Sequence, residues 1–316
     1  MNRYLNRSYF HRYLAGGPVL RRGRQVSRRD FIIASSGIKT TTAIADEVAA
    51  ATQRFSTAVS ILTNSQQLDL EQLSHINAAL RGPLASPVLR DKPLTFKALR
   101  AMNNYQCPEP ELALAQSKQL LSLHWTKQAT AKEALALLAG LTLAHPFTEG
   151  NGRTTRALFE TLCTRHQHSM LSPYLFVLSS NRMDDFIGFL HSHRDSAYRD
   201  IGQRFFHDFL VWQEHFSMQC STIESDTVNK INNKLLFIQP DRWHTPLLQL
   251  FWQSPMISVK TLPAKVADYF AAKPALDTLL KRGIVSMTTF HNELCFVADD
   301  ILAAHEAIEG KLLAVS

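Results

Sequence analysis

Apolar residues recur at helical spacing along most of this chain, and the breaks between them outline its elements. From Asp30 to about Gln67, Ile32, Ile33, Ile44 and Val48, then Phe55, Val59 and Ile61, mark the apolar faces of a helical region. Leu68 to Leu80 predicts a further amphipathic helix. The segment RGPLASPVLRDKPLTF, 81–96, carries three Pro and one Gly and is too broken for a helix; a short hairpin or an extended loop fits it. Pro108-Glu109-Pro110 opens the next helix, with apolar residues at 112, 114, 120, 121 and 123. AKEALALLAGLTLA, 131–144, is apolar nearly all round after Glu133, which predicts a central buried helix ending at His145-Pro146. Another helix is expected from near Arg153 to about His166, with more at about 182–193 and 201–216.

Beyond residue 220 the texture changes. ESDTVNKINNK, 224–234, reads as a polar linker. TPLLQLFWQS, LPAKVADYF and ALDTLLKRG read as three short helices, the last stopping at Gly283. IVSMTTFHNELCFVA then alternates apolar and polar residues around a turn at His291-Asn292, which predicts a strand pair. Three helices and a two-stranded wing suggest a winged helix-turn-helix. The expected organisation is therefore a basic arm at 1–27, a mainly α core at 28–222, a linker at 223–240 and a winged-helix domain at 241–316.

Composition sharpens this picture in one respect. The chain of 316 residues carries a net charge of +7. That excess lies wholly in residues 1–30, which hold eight Arg and the single acid Asp30, so the body of the chain is neutral and is no phosphate-coating surface. The four Cys, at 107, 163, 220 and 295, form no C-x-x-C and read as reduced thiols of a cytoplasmic protein. No apolar run approaches the roughly 18 residues of a membrane span. SRRDFII, 27–33, has a twin-arginine look, but Lys39, Asp46 and Glu47 interrupt what would be its apolar stretch, so it is read as a chance match. Cytoplasmic residence is expected, with delivery into a host cell as the other route left open. His166-x-His168 and His191-x-His193 lack any acid or Cys that would complete a metal site.

The densest chemistry lies in HPFTEGNGRTTR, 145–156, between two apolar helices. Gly150 and Gly152 flank Asn151, where freed backbone N–H groups ahead of a helix N-terminus make an anion nest. Arg153 and Arg156 are three apart and share a face of the first helical turn. Two guanidinium forks beside a nest imply a ligand with more than one phosphate. Glu149 suits a Mg²⁺ ion that bridges phosphate oxygens, and His145 suits a general base near neutral pH. Phe147 reads as the anchor of the loop in the core. The chain has no G-x-x-x-x-G-K-[ST], so this is not a P-loop.

At every defined position this stretch resembles the Fic-family signature H-x-F-x-[D/E]-G-N-G-R-x-x-R. The resemblance implies a helical core with a β-hairpin flap, which 81–96 would supply, followed by a winged helix. It also implies transfer of AMP from Mg²⁺-ATP to a Ser, Thr or Tyr hydroxyl of a target protein. On that reading His145 is the base, Glu149 the metal ligand, and Phe147, Gly150, Asn151, Gly152, Arg153 and Arg156 the ATP-binding set. Arg153 would take the β-phosphate and Arg156 the γ-phosphate.

Many Fic proteins also carry a serine-rich helix, S-x-x-x-E-[G/N], whose Glu inhibits by pairing with the second motif Arg. SSGIKT resembles it at Ser35, Ser36 and Ile38 but places Lys39 where the Glu is expected. A Lys repels Arg156 instead of bridging to it. Self-inhibition is therefore expected to be altered, and removal of AMP is not expected. Lys265, Lys273, Lys281 and Arg282 are interleaved with Asp268 and Asp277, so the winged helix is expected to pack, form a homodimer or recruit the target, with DNA binding the weaker alternative. Two other activities remain open: transfer of another nucleotide or phospho-group, and a nucleotide-sensing winged-helix regulator without catalysis.

Overall fold

The computed structural model describes residues 11–15, 43–94, 106–125, 129–165, 183–193, 195–290 and 292–314. They are mainly helical, with one small antiparallel sheet. In chain order the elements are α1 (His11–Ala15), α2 (Ala43–Asn64), α3 (Leu70–Arg81), α4 (Pro110–His124), α5 (Ala131–Ala144), α6 (Asn151–Arg165), α7 (Met183–Ser192), α8 (Arg199–Leu235), α9 (His244–Gln253), β1 (Met256–Ser258), α10 (Leu262–Lys265), α11 (Tyr269–Lys281), β2 (Ser286–Phe290), β3 (Glu293–Val297) and α12 (Asp299–Leu313). None of the described helices is long and apolar enough to cross a membrane. The chain divides into two compact units, one comprising 10–17, 51–215 and 315–316, the other 1–9, 18–50 and 216–314.

The first unit is built on α5. Thr130 caps its N-terminus in a capping box with Glu133, and the sequence between them and His145 contains nothing to break the helix. Leu135, Leu137, Leu138, Leu141 and Leu143 are all buried, because α5 packs between α4 and α6. A second capping box, Asp69 with Gln72, starts α3, which packs against α6. The C-terminal end of α3 and the N-terminal end of α6 thereby reach one place, and α5 ends at the loop between them.

Within 81–96, Arg81 ends α3 and a turn follows at 83–84. Leu89 bridges to Phe147, and the Leu94 carbonyl accepts from the Cys107 N–H at 3.0 Å. The tip, 95–105, lies outside the described residues. Part of the expected basic arm is not an appendage: His11–Ala15 is helical, with Leu14 and Ala15 buried.

In the second unit β3 is central, with β1 and β2 antiparallel on either side. Met256, Cys295, Val297 and Leu302 form its core, against which Phe290 packs. The predicted strand pair is β2–β3, while β1 and α12 were not anticipated. The two helices expected at 262–270 and 275–283 stand with other bounds: α10 ends at Lys265, and α11 starts at Tyr269 and runs through Pro274. Its start follows from Asp268, whose side chain accepts the Ala271 N–H at 3.1 Å.

Residues 224–234 are not extended linker but the last part of α8. No Pro or Gly occurs from 203 to 239. Phe216, Cys220, Glu224, Thr227 and Ile231 recur every three or four residues and are buried. Polar residues on the other face masked this stripe in the sequence.

Candidate functional site

His145 ends α5. Its backbone turns left-handed, φ 54° and ψ 60°, and its N–H still donates to Leu141 O at 3.0 Å. Pro146 follows and cannot prolong the helix. The imidazole Nδ1 lies 3.2 Å from the Thr142 carbonyl, which can only accept, so Nδ1 carries the proton and Nε2 the lone pair. Burial lowers the pKa of His145 to about 4 against an upward pull from the Thr142 bond, and the charge of Arg90 adds a lesser downward push. The imidazole is neutral at physiological pH and able to accept a proton.

Arg90 is a buried cation that the sequence did not single out. Its Nε donates to His145 O at 2.9 Å, and its other donors serve the carbonyls of Lys92, Pro108 and Ala144. Its own N–H donates to Pro146 O at 2.8 Å. One guanidinium thus ties the segment after α3 to the turn that carries His145. An Arg within an otherwise apolar P-V-L-R run was the available signal.

The loop after His145 is held from inside. The Phe147 ring is buried, and Asn151 exchanges two hydrogen bonds with the Phe147 backbone: it accepts from the N–H at 3.0 Å and donates to the carbonyl at 2.7 Å. Both side chains are engaged in shaping the loop. Asn77 of α3, also buried and also missed by the sequence, donates to Glu149 O at 2.9 Å and to Thr154 Oγ1 at 3.0 Å.

Of the two glycines in the loop only Gly150 has positive φ, at 79°. A Cβ there would come within 2.8 Å of Asn77 Nδ2. Helix α6 begins at Asn151, two residues earlier than expected, so Gly152 belongs to its first turn. The role of Gly152 is spatial: a Cβ would approach Arg156 Nη1 to 3.2 Å.

The motif cations stand as follows. Arg153 is half-buried and donates from Nη1 to Leu80 O at 3.1 Å. Burial lowers its pKa, as do the charges of Arg54 and Arg81, while Glu149 raises it. Arg156 donates from Nε to Leu14 O at 2.7 Å. Burial first and Arg153 second push its pKa down to about 9, which leaves it charged at neutral pH. Glu149 is exposed, with Arg81 Nη1 3.8 Å away. Among the described residues no cluster of three His, Cys, Asp or Glu could enclose a metal. A single accessible carboxylate beside a helix N-terminus and two guanidinium groups nevertheless fits Mg²⁺, which takes one or two carboxylates with its other oxygen ligands.

The structure therefore brings His145, Phe147, Glu149, Gly150, Asn151, Gly152, Arg153 and Arg156 together in one loop and helix start. Ser35, Ser36 and Lys39 lie outside the described residues. Lys39 was expected to leave Arg156 without the usual carboxylate rival; the described structure places the Leu14 carbonyl against its Nε.

Residues 67–163 match the Fic/DOC family model, a span that covers α3 through most of α6. Among solved structures, the chain is similar to a Fic family protein from Desulfovibrio desulfuricans G20, at 13% identity and a TM-score of 0.45, covering 92% of this chain and 87% of that one. No curated protein matches it. The part of this chain that resembles known proteins is thus a Fic/DOC-type domain at residues 67–163, and Fic family proteins are commonly transferases that act on nucleotides.

Proposed function

We propose that this protein transfers AMP from Mg²⁺-ATP to a Ser, Thr or Tyr hydroxyl of a target protein. The observation that carries the reading is the neutral His145, held at the end of α5 and followed within eleven residues by a positive-φ Gly150, the α6 N-terminus, Arg153 and Arg156.

His145 Nε2 takes the proton of the target hydroxyl as its oxygen attacks the α-phosphorus. The bond from that phosphorus to the bridging oxygen breaks, and pyrophosphate leaves with the electron pair. The amides that open α6, with its dipole, hold phosphate oxygens, and Arg153 and Arg156 neutralise the departing charge. Glu149 would hold Mg²⁺, which when bound supplies further neutralisation of the phosphates. Freeing Glu149 for the ion means weakening a long contact, 3.8 Å, between its exposed carboxylate and Arg81.

We propose also that self-inhibition through the serine-rich segment is altered, since Lys39 stands in place of the carboxylate. Lys39→Glu should then lower auto-modification.

The test uses the full chain with Mg²⁺ and a cell lysate, comparing α-labelled and γ-labelled ATP, beside His145→Ala. Protein bands labelled from the α-phosphate and lost in the variant support AMP transfer. Label arriving only from the γ-phosphate would replace it with phosphorylation, and nucleotide binding without any label would favour the sensor.

A further inference from the structure

Two arginines outside the 145–156 stretch, Arg54 and Arg81, lie near it. Arg81 is the last residue of α3, and its stem lies along Gly150: a Cβ on that glycine would sit 3.1 Å from Arg81 Cγ and 3.3 Å from Cδ. Its Nη1 is 3.8 Å from Glu149 Oε2, and its Nη2 donates to Ser86 O. Arg54, on α2, is half-buried and lines a groove of about 450 Å³ between α2 and α3. That groove reaches Ala79, and the carbonyl of the next residue, Leu80, receives Arg153 Nη1. Arg81 and Arg153 thus meet at the C-terminal end of α3, beside the loop, and Arg54 lies near enough for its charge to be felt at Arg153.

The partners of Arg54 and Arg81 leave one donor of each unmet. Among the described residues, the Nε–H groups of both Arg54 and Arg81 are buried without a hydrogen-bond acceptor. Buried arginines in a structural role are normally paired. The charges of Arg54 and Arg81 are felt as repulsion at Arg153, with the exposed Glu149 acting against them. Such a cluster raises its own energy and is relieved by a polyanion.

We infer that Arg54 and Arg81 extend the phosphate seat beyond the two motif arginines and grip the terminal phosphates of a nucleoside triphosphate. This rests on the nucleotide reading given above and adds selectivity to it. Each further phosphate meets another guanidinium, so the site discriminates by phosphate number as well as by base. Arg81 gains a second role: it holds the Glu149 carboxylate until a triphosphate draws the guanidinium away.

Calorimetric titration of the full chain with ATP, ADP and AMP tests this, using wild type, Arg54→Met and Arg81→Met. Methionine keeps the apolar stem and removes the charge, and thermal melting checks the fold. Affinity should rise with phosphate number in the wild type. Each variant should lose about tenfold in ATP affinity, the scale of one charge-assisted contact, while AMP affinity changes by less than about twofold. Arg54→Lys and Arg81→Lys should recover part of the loss. Variants that bind ATP like wild type overturn the inference and leave AMP transfer standing. Equal losses for ATP and AMP accompanied by lowered melting would show a packing role and overturn it too. A wild type that binds none of the three nucleotides overturns the inference together with the reading on which it rests.

Discussion

The Nε–H of Arg156 donates to the main-chain carbonyl of Leu14 at 2.7 Å, joining the second motif arginine to a helix more than 140 residues away in sequence. The acceptor is neutral, so it orients the guanidinium without cancelling its charge. With Nε held there, Nη1 lies against Gly152 at the start of α6. Helix α1 is fixed in turn: His11 Nδ1 is 2.8 Å from Ser56 Oγ, its Nε2 is 3.6 Å from the buried Glu160, and its ring meets Phe55 edge-on at 5.4 Å.

Removing α1 therefore should loosen Arg156. Deleting residues 1–15 is expected to raise KM for ATP by about tenfold, one charge-assisted hydrogen bond's worth of orientation, and to lower the melting temperature as Phe55 becomes exposed. Steady-state kinetics with thermal melting measure both. A fall in KM would instead make Leu14 a competitor of ATP.

The position of His145 sets the pH profile. Its neutral form is the active one and its pKa lies at about 4, so kcat/KM should stay level as pH falls from about 8 to about 5 and drop about tenfold per pH unit below about 4. The same shift acts on stability. Between the unfolded value of 6.5 and the folded value of about 4, the unfolded chain binds the extra proton, so acidification through that window destabilises the fold. An acid limb near 6.5 in the pH–rate profile would contradict the buried environment.

Arg90 acts on that limb from behind. Arg90→Met removes the charge that helps to depress His145 and leaves the carbonyls of Ala144, His145, Lys92 and Pro108 without their donor. The acid limb should move upward by less than one unit, since burial is the larger cause, and stability should fall by about 3 kcal/mol. Denaturant unfolding and the pH–rate profile separate the two effects.

Gly150→Ala tests the loop. At φ 79° an L side chain is strained, and the new Cβ would press on Asn77 Nδ2 at 2.8 Å. A loss of about 2 kcal/mol in stability is expected, with a larger fractional loss of activity than of nucleotide binding. Gly152→Ala, inside α6 and with only the side-chain end Arg156 Nη1 at 3.2 Å, should cost less stability but should displace that guanidinium.

The motif loop and its roles could be read along the chain because a base, a carboxylate, a tight turn and two guanidinium groups fall within twelve consecutive positions. Local periodicity likewise exposed α3, α4, α5 and the β2–β3 pair, whose apolar faces repeat within a single element. The buried stripe of α8 at 216–231 was hidden, since three of its inward positions are Cys220, Glu224 and Thr227, which look polar or neutral until burial identifies them.

The sequence alone therefore determined the order of the chemistry from His145 to Arg156, a property of neighbouring residues on a backbone with a known helical period. Only the tertiary structure decided what surrounds that chemistry. Leu14, Arg54, Asn77, Arg81 and Arg90 come from α1, α2, α3 and the segment after it, and their direct bonds to residues of the 145–156 stretch span between 55 and 142 positions. No local pattern encodes such meetings, because they follow from how α3, α5 and α6 pack and from where their ends converge.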